Sequence, residues 1–273
     1  LGMHIAGIAY QLLGVHDRMN WKVFEAVATG TSHLERMTAC QDACRTWTGG
    51  DGFLVAVVCD GAGSASLSEI GSRICSDAVV ERIASCLNEQ LEEGGDALQL
   101  VKNQLEASIQ HARERIEEAA SEKGVTPRDL ACTLVGAVAK ATGGGFFFHV
   151  GDGAAIVHMA DASIAPVVSR PENGEYSNET WFVTQSSWRD HLRVTDFAGD
   201  IRCIAVMSDG PMPFALTKDQ SSLFPGFIDP IEDYLRKNSV EDGNRGLLSI
   251  LTSERTNSIT NDDKTLVLAF LES

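Results

Sequence analysis

Four strand-like hydrophobic runs in this 273-residue chain each meet an aspartate at a turn, and that repeated pattern constrains the fold more than any other feature. Gly52 to Cys59 is uniformly apolar and runs into Asp60-Gly61, and Phe146 to Val150 runs into Gly151-Asp152-Gly153. Ile201 to Met207 runs into Ser208-Asp209-Gly210, and Thr265 to Leu271 is entered through Asn261-Asp262-Asp263. A continuous apolar run of this length is what a strand buried on both faces requires. One Asp-Gly at a strand end is ordinary turn chemistry. Several such acids together imply sheets whose ends gather carboxylates at their edges.

Between the strands the period changes. Leu67, Ile70, Ile74, Ala78, Ile83, Leu87 and Leu91 recur at helical spacing, with Ser66 and Glu69 forming a capping-box signature. Gly94-Gly95 interrupts the pattern, and Leu98, Val101, Leu105, Ile109, Ala112 and Ile116 mark a second long helix, so an antiparallel helical pair is expected. From Ala131 the chain turns to a meander: Cys132 to Ala139, a Gly143-Gly144-Gly145 turn, Phe146 to Val150, and Ala154 to Met159. Trp21 to Thr29 is a further apolar-rich segment, and Ile231 to Lys237 and Leu247 to Thr252 read as short helices. No repeat or low-complexity linker divides the chain. One α+β domain over residues 20–273 is expected, with long helices packed on largely antiparallel sheets. Residues 1–19 read as an N-terminal extension, Leu1-Gly2 ahead of Met3 being an artificial remnant.

With 38 acidic against 22 basic residues and a net charge of -16, nucleic acid and anionic membrane are poor partners, whereas cations are favoured. There is no run of about 18 apolar residues and no leader segment. The seven cysteines, odd in number and without a C-x-x-C pair, read as buried thiols of a reducing compartment, so a cytoplasmic location is expected. Cys40 and Cys44 lack the second Cys/His pair of a zinc site, and Cys75 and Arg82 are wrongly spaced for a cysteine-phosphatase loop. The charges from Arg113 to Glu118 read as a solvated helix face.

Carboxylates brought together repel and raise one another's pKa unless a cation neutralises them, so the convergent acids are a candidate metal site. Oxygen-only ligands favour Mg²⁺ or Mn²⁺ over zinc. Gly61 lets a metal approach its carbonyl closely, and the helix N-terminus beyond the loop attracts anions such as phosphate. Two ions about 3.5–4 Å apart acidify a shared water and stabilise the displaced oxygen, which is the chemistry of phosphoester hydrolysis without a covalent intermediate.

Five segments in order give this reading a family. They are Cys40-Gln41-Asp42-Ala43, Val58-Cys59-Asp60-Gly61-Ala62-Gly63, His149-Val150-Gly151-Asp152, Met207-Ser208-Asp209-Gly210 and Asn261-Asp262-Asp263-Lys264-Thr265. Through them the sequence resembles the metal-dependent protein phosphatases of the protein phosphatase 2C family, in particular the bacterial branch, over about Val23 to Leu271. Thr133 to Gly136 and Gly174 to Thr180 are similar to two further family segments.

The resemblance implies a four-layer α-β-β-α sandwich of two mainly antiparallel sheets flanked by pairs of long helices, with two Mn²⁺ or Mg²⁺ ions between the sheet edges. Asp60 would bridge both ions and the Gly61 carbonyl would bind one. Asp209 and Asp262, the latter preferred over Asp263, would bind the ion opposite the one served by Gly61. Asp42 would reach the site directly or through water. Asp152, with Asp209, stands where some bacterial members hold a third, weaker ion.

Two departures from the family pattern bear on catalysis. Ala62 stands where many members carry a histidine able to protonate the leaving serine or threonine oxygen, and His33, then His149, are the substitute candidates. Arg36 is the candidate for the phosphate-gripping arginine, one residue out of the commonest register. The expected function is a monomeric serine/threonine phosphatase acting on phosphorylated protein, with a serine/threonine kinase as natural counterpart. The alternative is a phosphatase-like binding or regulatory module without useful turnover, toward which Ala62 points and the retained aspartates do not. A dinucleotide fingerprint at Gly61-Ala62-Gly63 fails because Ser66 occupies the place of the third glycine.

Overall fold

The computed structural model describes residues 20–49, 52–91, 96–171 and 180–272. In chain order these form β1 (Trp21–Ala28), α1 (Thr31–Arg36), β2 (Ala43–Gly49), β3 (Phe53–Cys59), α2 (Ser68–Leu91), α3 (Ala97–Lys123), β4 (Leu134–Lys140), β5 (Gly145–Val150) and β6 (Ala154–Met159). There follow β7 (Val167–Ser169), β8 (Arg193–Phe197), β9 (Ile201–Met207), α4 (Met212–Ala215), α5 (Pro225–Lys237), α6 (Val240–Leu251), α7 (Glu254–Asn257) and β10 (Lys264–Leu271). One sheet runs β1-β10-β9-β6-β7 and the other β2-β3-β4-β5-β8, every pairing antiparallel.

Alternation along β3 explains the layering. Leu54, Ala56 and Val58 join Val135, Phe147, Ile204 and Val267 in the core between the two sheets. Phe53, Val55, Val57 and Cys59 point the other way, into a core shared with α2 and α3. A third core lies on the outer face of the β1-containing sheet, where Phe24, Leu268 and Phe270 meet Ile231, Leu235, Leu247 and Leu251 of α5 and α6. The result is the expected α-β-β-α sandwich, and β3 is apolar throughout because both its faces are covered. Among the described residues no helix is long and apolar enough to cross a membrane.

Several local expectations change. Ser66 does not cap α2 through Glu69: the helix begins at Ser68, and the Ser66 hydroxyl donates to Asp129 at 3.3 Å. Asp129 also accepts from the backbone N–H and hydroxyl of Thr126, closing a 3-10 turn at Pro127–Leu130. Arg113 is not a solvated charge. Its guanidinium donates to the carbonyls of Val183 and Gln185 and lies 5.8 Å over the ring of Trp188, tying α3 to the loop after β7. Trp188 is core, whereas Trp181 stacks on His191. Helix α5 begins six residues before Ile231 and carries Pro230 within it. Strands β2, β7 and β8 and helix α1 were not expected from the sequence. The Gly94-Gly95 break and most of the Gly174 to Thr180 segment lie outside the described residues.

Candidate metal centre

Strand register brings the acids to one place. Asp60 leaves the end of β3, whose Cys59 pairs with Ala43 at the start of β2, the strand that Asp42 enters. Asp209 follows the end of β9, whose Met207 pairs with Leu266 near the start of β10 and with Ala154 at the start of β6. Asp262 therefore precedes β10, and Asp152 precedes β6, at the same edge as Asp209. Two stacked antiparallel sheets thus deliver five separated aspartates to a common end.

There a cavity of about 180 Å³ is lined by Asp60, Gly61, Asp152, Asp209 and Asp262 together with His33, Ala62 and Thr133. Carboxylate oxygens of Asp60, Asp152 and Asp209 all lie within 4.8 Å of one another. No lysine or arginine is among the described residues that line it.

This crowding is expensive while uncompensated. Burial, and after it the charges of Asp42 and Asp209, hold the Asp60 carboxyl well above the usual carboxylate range. Asp209 is pushed up to about 7, first by burial and then by Asp152 and Asp262. Asp42 is likewise pushed up to about 7 by burial, against the hydrogen bond it accepts from Ser208 at 2.7 Å. One oxygen each of Asp42, Asp152 and Asp209 is buried without a hydrogen-bond partner among the described residues. Buried charges are ordinarily paired or coordinate metals. The unpartnered oxygens of Asp152 and Asp209 belong to residues lining the cavity, and hard oxygens so placed fit divalent Mn²⁺ or Mg²⁺.

Asp262 and Asp263 separate cleanly in structure. Asp263 is saturated: its carboxylate accepts from the backbone N–H of Gly30 and of Gln41, each at 2.6 Å, and contacts His33 Nδ1 at 2.8 Å. It is a bracket joining three segments. Asp262 stays exposed on the cavity, and among the described residues its carboxylate accepts one hydrogen bond, from the Asp263 N–H at 2.9 Å. Asp42 sits one layer back, buried beneath Ser208, and does not line the cavity.

His33 lines the cavity from α1, with Nδ1 committed to Asp263. His149 does not reach it: the ring is fully buried, 3.1 Å from Ser169 Oγ. Burial, then Arg193, lowers its pKa well below the usual histidine value. Arg36 ends α1 exposed and is not among the lining residues.

Supporting groups went unread in the sequence. Thr133 Oγ1 accepts the Asp60 N–H at 3.0 Å, Thr180 donates to Asp152, and Ser208 holds Asp42. Thr133 and Ser208 are hydroxyls beside strand ends, a signal too common to single out alone, and Thr180 comes from the loop between β7 and β8. The three sulfurs of Cys59, Cys75 and Cys132, far apart in sequence, also gather within 4.8 Å in the helix–sheet core.

Glycine permits the close approaches. A Cβ on Gly61 would meet the Gln41 carbonyl oxygen at 2.6 Å, and one on Gly210 would meet that of Asp263 at 1.9 Å. Backbone cannot yield cheaply at Gly210, where the Asp209 turn abuts the start of β10. Gly210→Ala should destabilise the fold by about 1–3 kcal/mol through overpacking. A denaturant titration showing no change in midpoint would remove this account of Gly210.

Comparison with known proteins bears on the family and the fold. A family model described as protein phosphatase 2C matches residues 29–252, which include Asp42, Asp60, Asp152 and Asp209 and stop short of Asp262. Serine/threonine-protein phosphatase 3 of Escherichia coli (strain K12) is 31% identical over 260 residues, covering 92% of this chain and 98% of that protein. A bacterial serine phosphatase superposes with a TM-score of 0.60 at 16% identity, over 93% of this chain and 98% of its own. A serine/threonine phosphatase of Staphylococcus aureus gives 0.59 at 17% identity, over 98% and 100%. A C. elegans sex-determining protein gives 0.64 at 13% identity, over 93% of this chain and 65% of its own. The last three share the fold; the family match and the E. coli relative, both spanning most of this sequence, make the chain a member of the protein phosphatase 2C family.

Proposed function

We propose that this protein is a metal-dependent serine/threonine phosphatase that hydrolyses phosphoserine and phosphothreonine in proteins. The observation that carries the reading is the convergence of Asp60, Asp152 and Asp209 within 4.8 Å in a cavity that Asp262 also lines. Asp60, the Gly61 carbonyl, Asp209 and Asp262 would hold two Mn²⁺ or Mg²⁺ ions, Asp152 with Asp209 would serve a third, and Asp42 would act from behind. When bound, such ions supply charge neutralisation and a water acidic enough to attack phosphorus near neutral pH.

The chain's own residues do the rest. The carboxylates fix where cations sit, and the absence of Lys or Arg from the described lining leaves phosphate attraction to those cations. Asp263 orients His33 through Nδ1, so that Nε2 is the atom able to hold a proton for the departing serine or threonine oxygen. This replaces the histidine that Ala62 displaces. His33→Asn should lower kcat on a phosphothreonine peptide by about 10²-fold or more. It should matter far less for an aryl phosphate, whose leaving group needs no proton. Equal losses on both substrates would reject the proton role for His33.

The reading is tested by manganese-dependent phosphate release from a phosphothreonine peptide and an aryl phosphate, with the chelated protein as control. Manganese binding without turnover on either would make the chain a phosphatase-like binding module.

A further inference from the structure

The outer helices enclose a second hollow, opposite in character to the acid site. A cleft of about 660 Å³ opens between α4, α5, α7 and the end of α6. Phe214 and Phe227 form its floor, their rings 5.2 Å apart, and Phe224 and Ile259 stand at its rim, 47% and 48% exposed. Lys218 and Arg255 are the charged residues that line it, and no aspartate or glutamate does. That is unusual in a chain with 38 acids.

Among the described residues neither cation makes an ion pair or side-chain hydrogen bond, and both are exposed, so their charges are open to a ligand. The aromatic rim is apolar surface left in water, which a ligand's chain would cover, and the two exposed cations beside it are available to an anionic head. A volume of this size falls in the small-molecule range of about 300–1,000 Å³, where an apolar lining with a few placed polar groups is the rule.

We propose that this cleft binds a single-chain anionic amphiphile, its apolar chain on Phe214, Phe224 and Phe227 and its carboxylate at Lys218 and Arg255. The site is independent of the acid cluster and of the phosphatase reading. Charge complementarity selects the head group, and the volume lies in the range that small ligands fill.

The test is calorimetric titration of the full chain with dodecanoate below micelle formation, beside dodecyl maltoside and dodecyltrimethylammonium, which keep the chain length and change the head. Saturable one-to-one binding of dodecanoate is expected, about tenfold or more tighter than the maltoside, given two partly exposed charge contacts. The cationic amphiphile should bind weakest. Lys218→Gln with Arg255→Gln should remove the preference for dodecanoate while leaving the maltoside affinity unchanged, and Phe224→Ser should weaken both. These positions are exposed, so folding is not at risk. Non-saturable binding, equal affinity for all three heads, or a double variant that still prefers dodecanoate would overturn the proposal. So would self-association of the chain through this face, abolished by Phe224→Ser, which would assign the cleft to a second copy.

Discussion

Asp60→Asn should reduce manganese-supported phosphate release by about 10³-fold or more, because it removes the central anchor of charges worth several kcal/mol to the transition state. The same substitution should raise the melting temperature of the chelated protein. Asp60 is the carboxyl most burdened by its surroundings: burial comes first, then Asp42, Asp209, Asp152 and Asp262, all disfavouring its charge. Asn has the same shape, stays neutral at every pH and retains an oxygen acceptor. Loss of function together with gain of stability is the signature of a group kept for its charge and not for the fold. An Asp60→Asn protein with near-native turnover would sink the metal reading. One that is both inactive and less stable would recast Asp60 as a structural hydrogen-bond partner.

Much of the sandwich was legible because its central strands are buried twice. Phe53–Cys59 could be bounded from sequence, since a strand covered on both faces has no polar residue until it ends. The acids were legible for the same reason: a carboxylate directly after such a run stands at a sheet edge by construction of the chain. Edge strands carry no such signal. In β2, Arg45 and Thr48 are exposed while Trp47 is half buried, a pattern that a loop also satisfies. Strand β8, with Arg193, Thr195 and Asp196, is equally ambiguous. Helix α5 extends N-terminal of the expected Ile231 to Lys237 and takes in Pro230, a residue that ordinarily breaks a helix. Its place near the N-terminal end, after Pro225, confines the lost hydrogen bond to the second turn.

Within the site, sequence order could name the acids but not assign their work. Asp262 and Asp263 are adjacent and chemically identical, and what sets Asp263 apart is the backbone N–H groups of Gly30 and Gln41 and the ring of His33, all brought in from elsewhere in the chain. The His33–Asp263 contact spans 230 positions and is equally invisible to local pattern. Arg36 shows the opposite error. Proximity along the chain suggested a phosphate contact, but the last turn of a six-residue helix points it into solvent.

In chelator, the protein should lose stability as pH rises from about 5 to about 8, and manganese should restore it most at the alkaline end. Asp42 and Asp209 are pushed up to about 7 in the folded chain, and burial holds Asp60 well above the usual carboxylate range as well. In the unfolded chain they titrate near 3.9. Between those values the folded state holds protons that the unfolded state has released, so the contribution is complete below about 4 and disappears as pH rises through about 7. The groups share their repulsion, so the expected loss is roughly 2–4 kcal/mol in total, or about 4–16 °C in melting temperature for a domain of this size. Manganese at a hundredfold excess over its dissociation constant returns about 2.7 kcal/mol, and less at pH 5, where it must first displace protons. The net charge of -16 supplies a competing cause, general acidic repulsion. Salt separates the two: exposed charges are screened within about 8 Å at physiological ionic strength, whereas buried carboxyls are screened much less. A pH slope that survives 0.5 M NaCl and flattens in Asp209→Asn therefore belongs to the cavity. A melting temperature indifferent to pH in chelator, or a manganese increment equal at pH 5 and pH 8, would mean that these carboxylates are not a cation site at all.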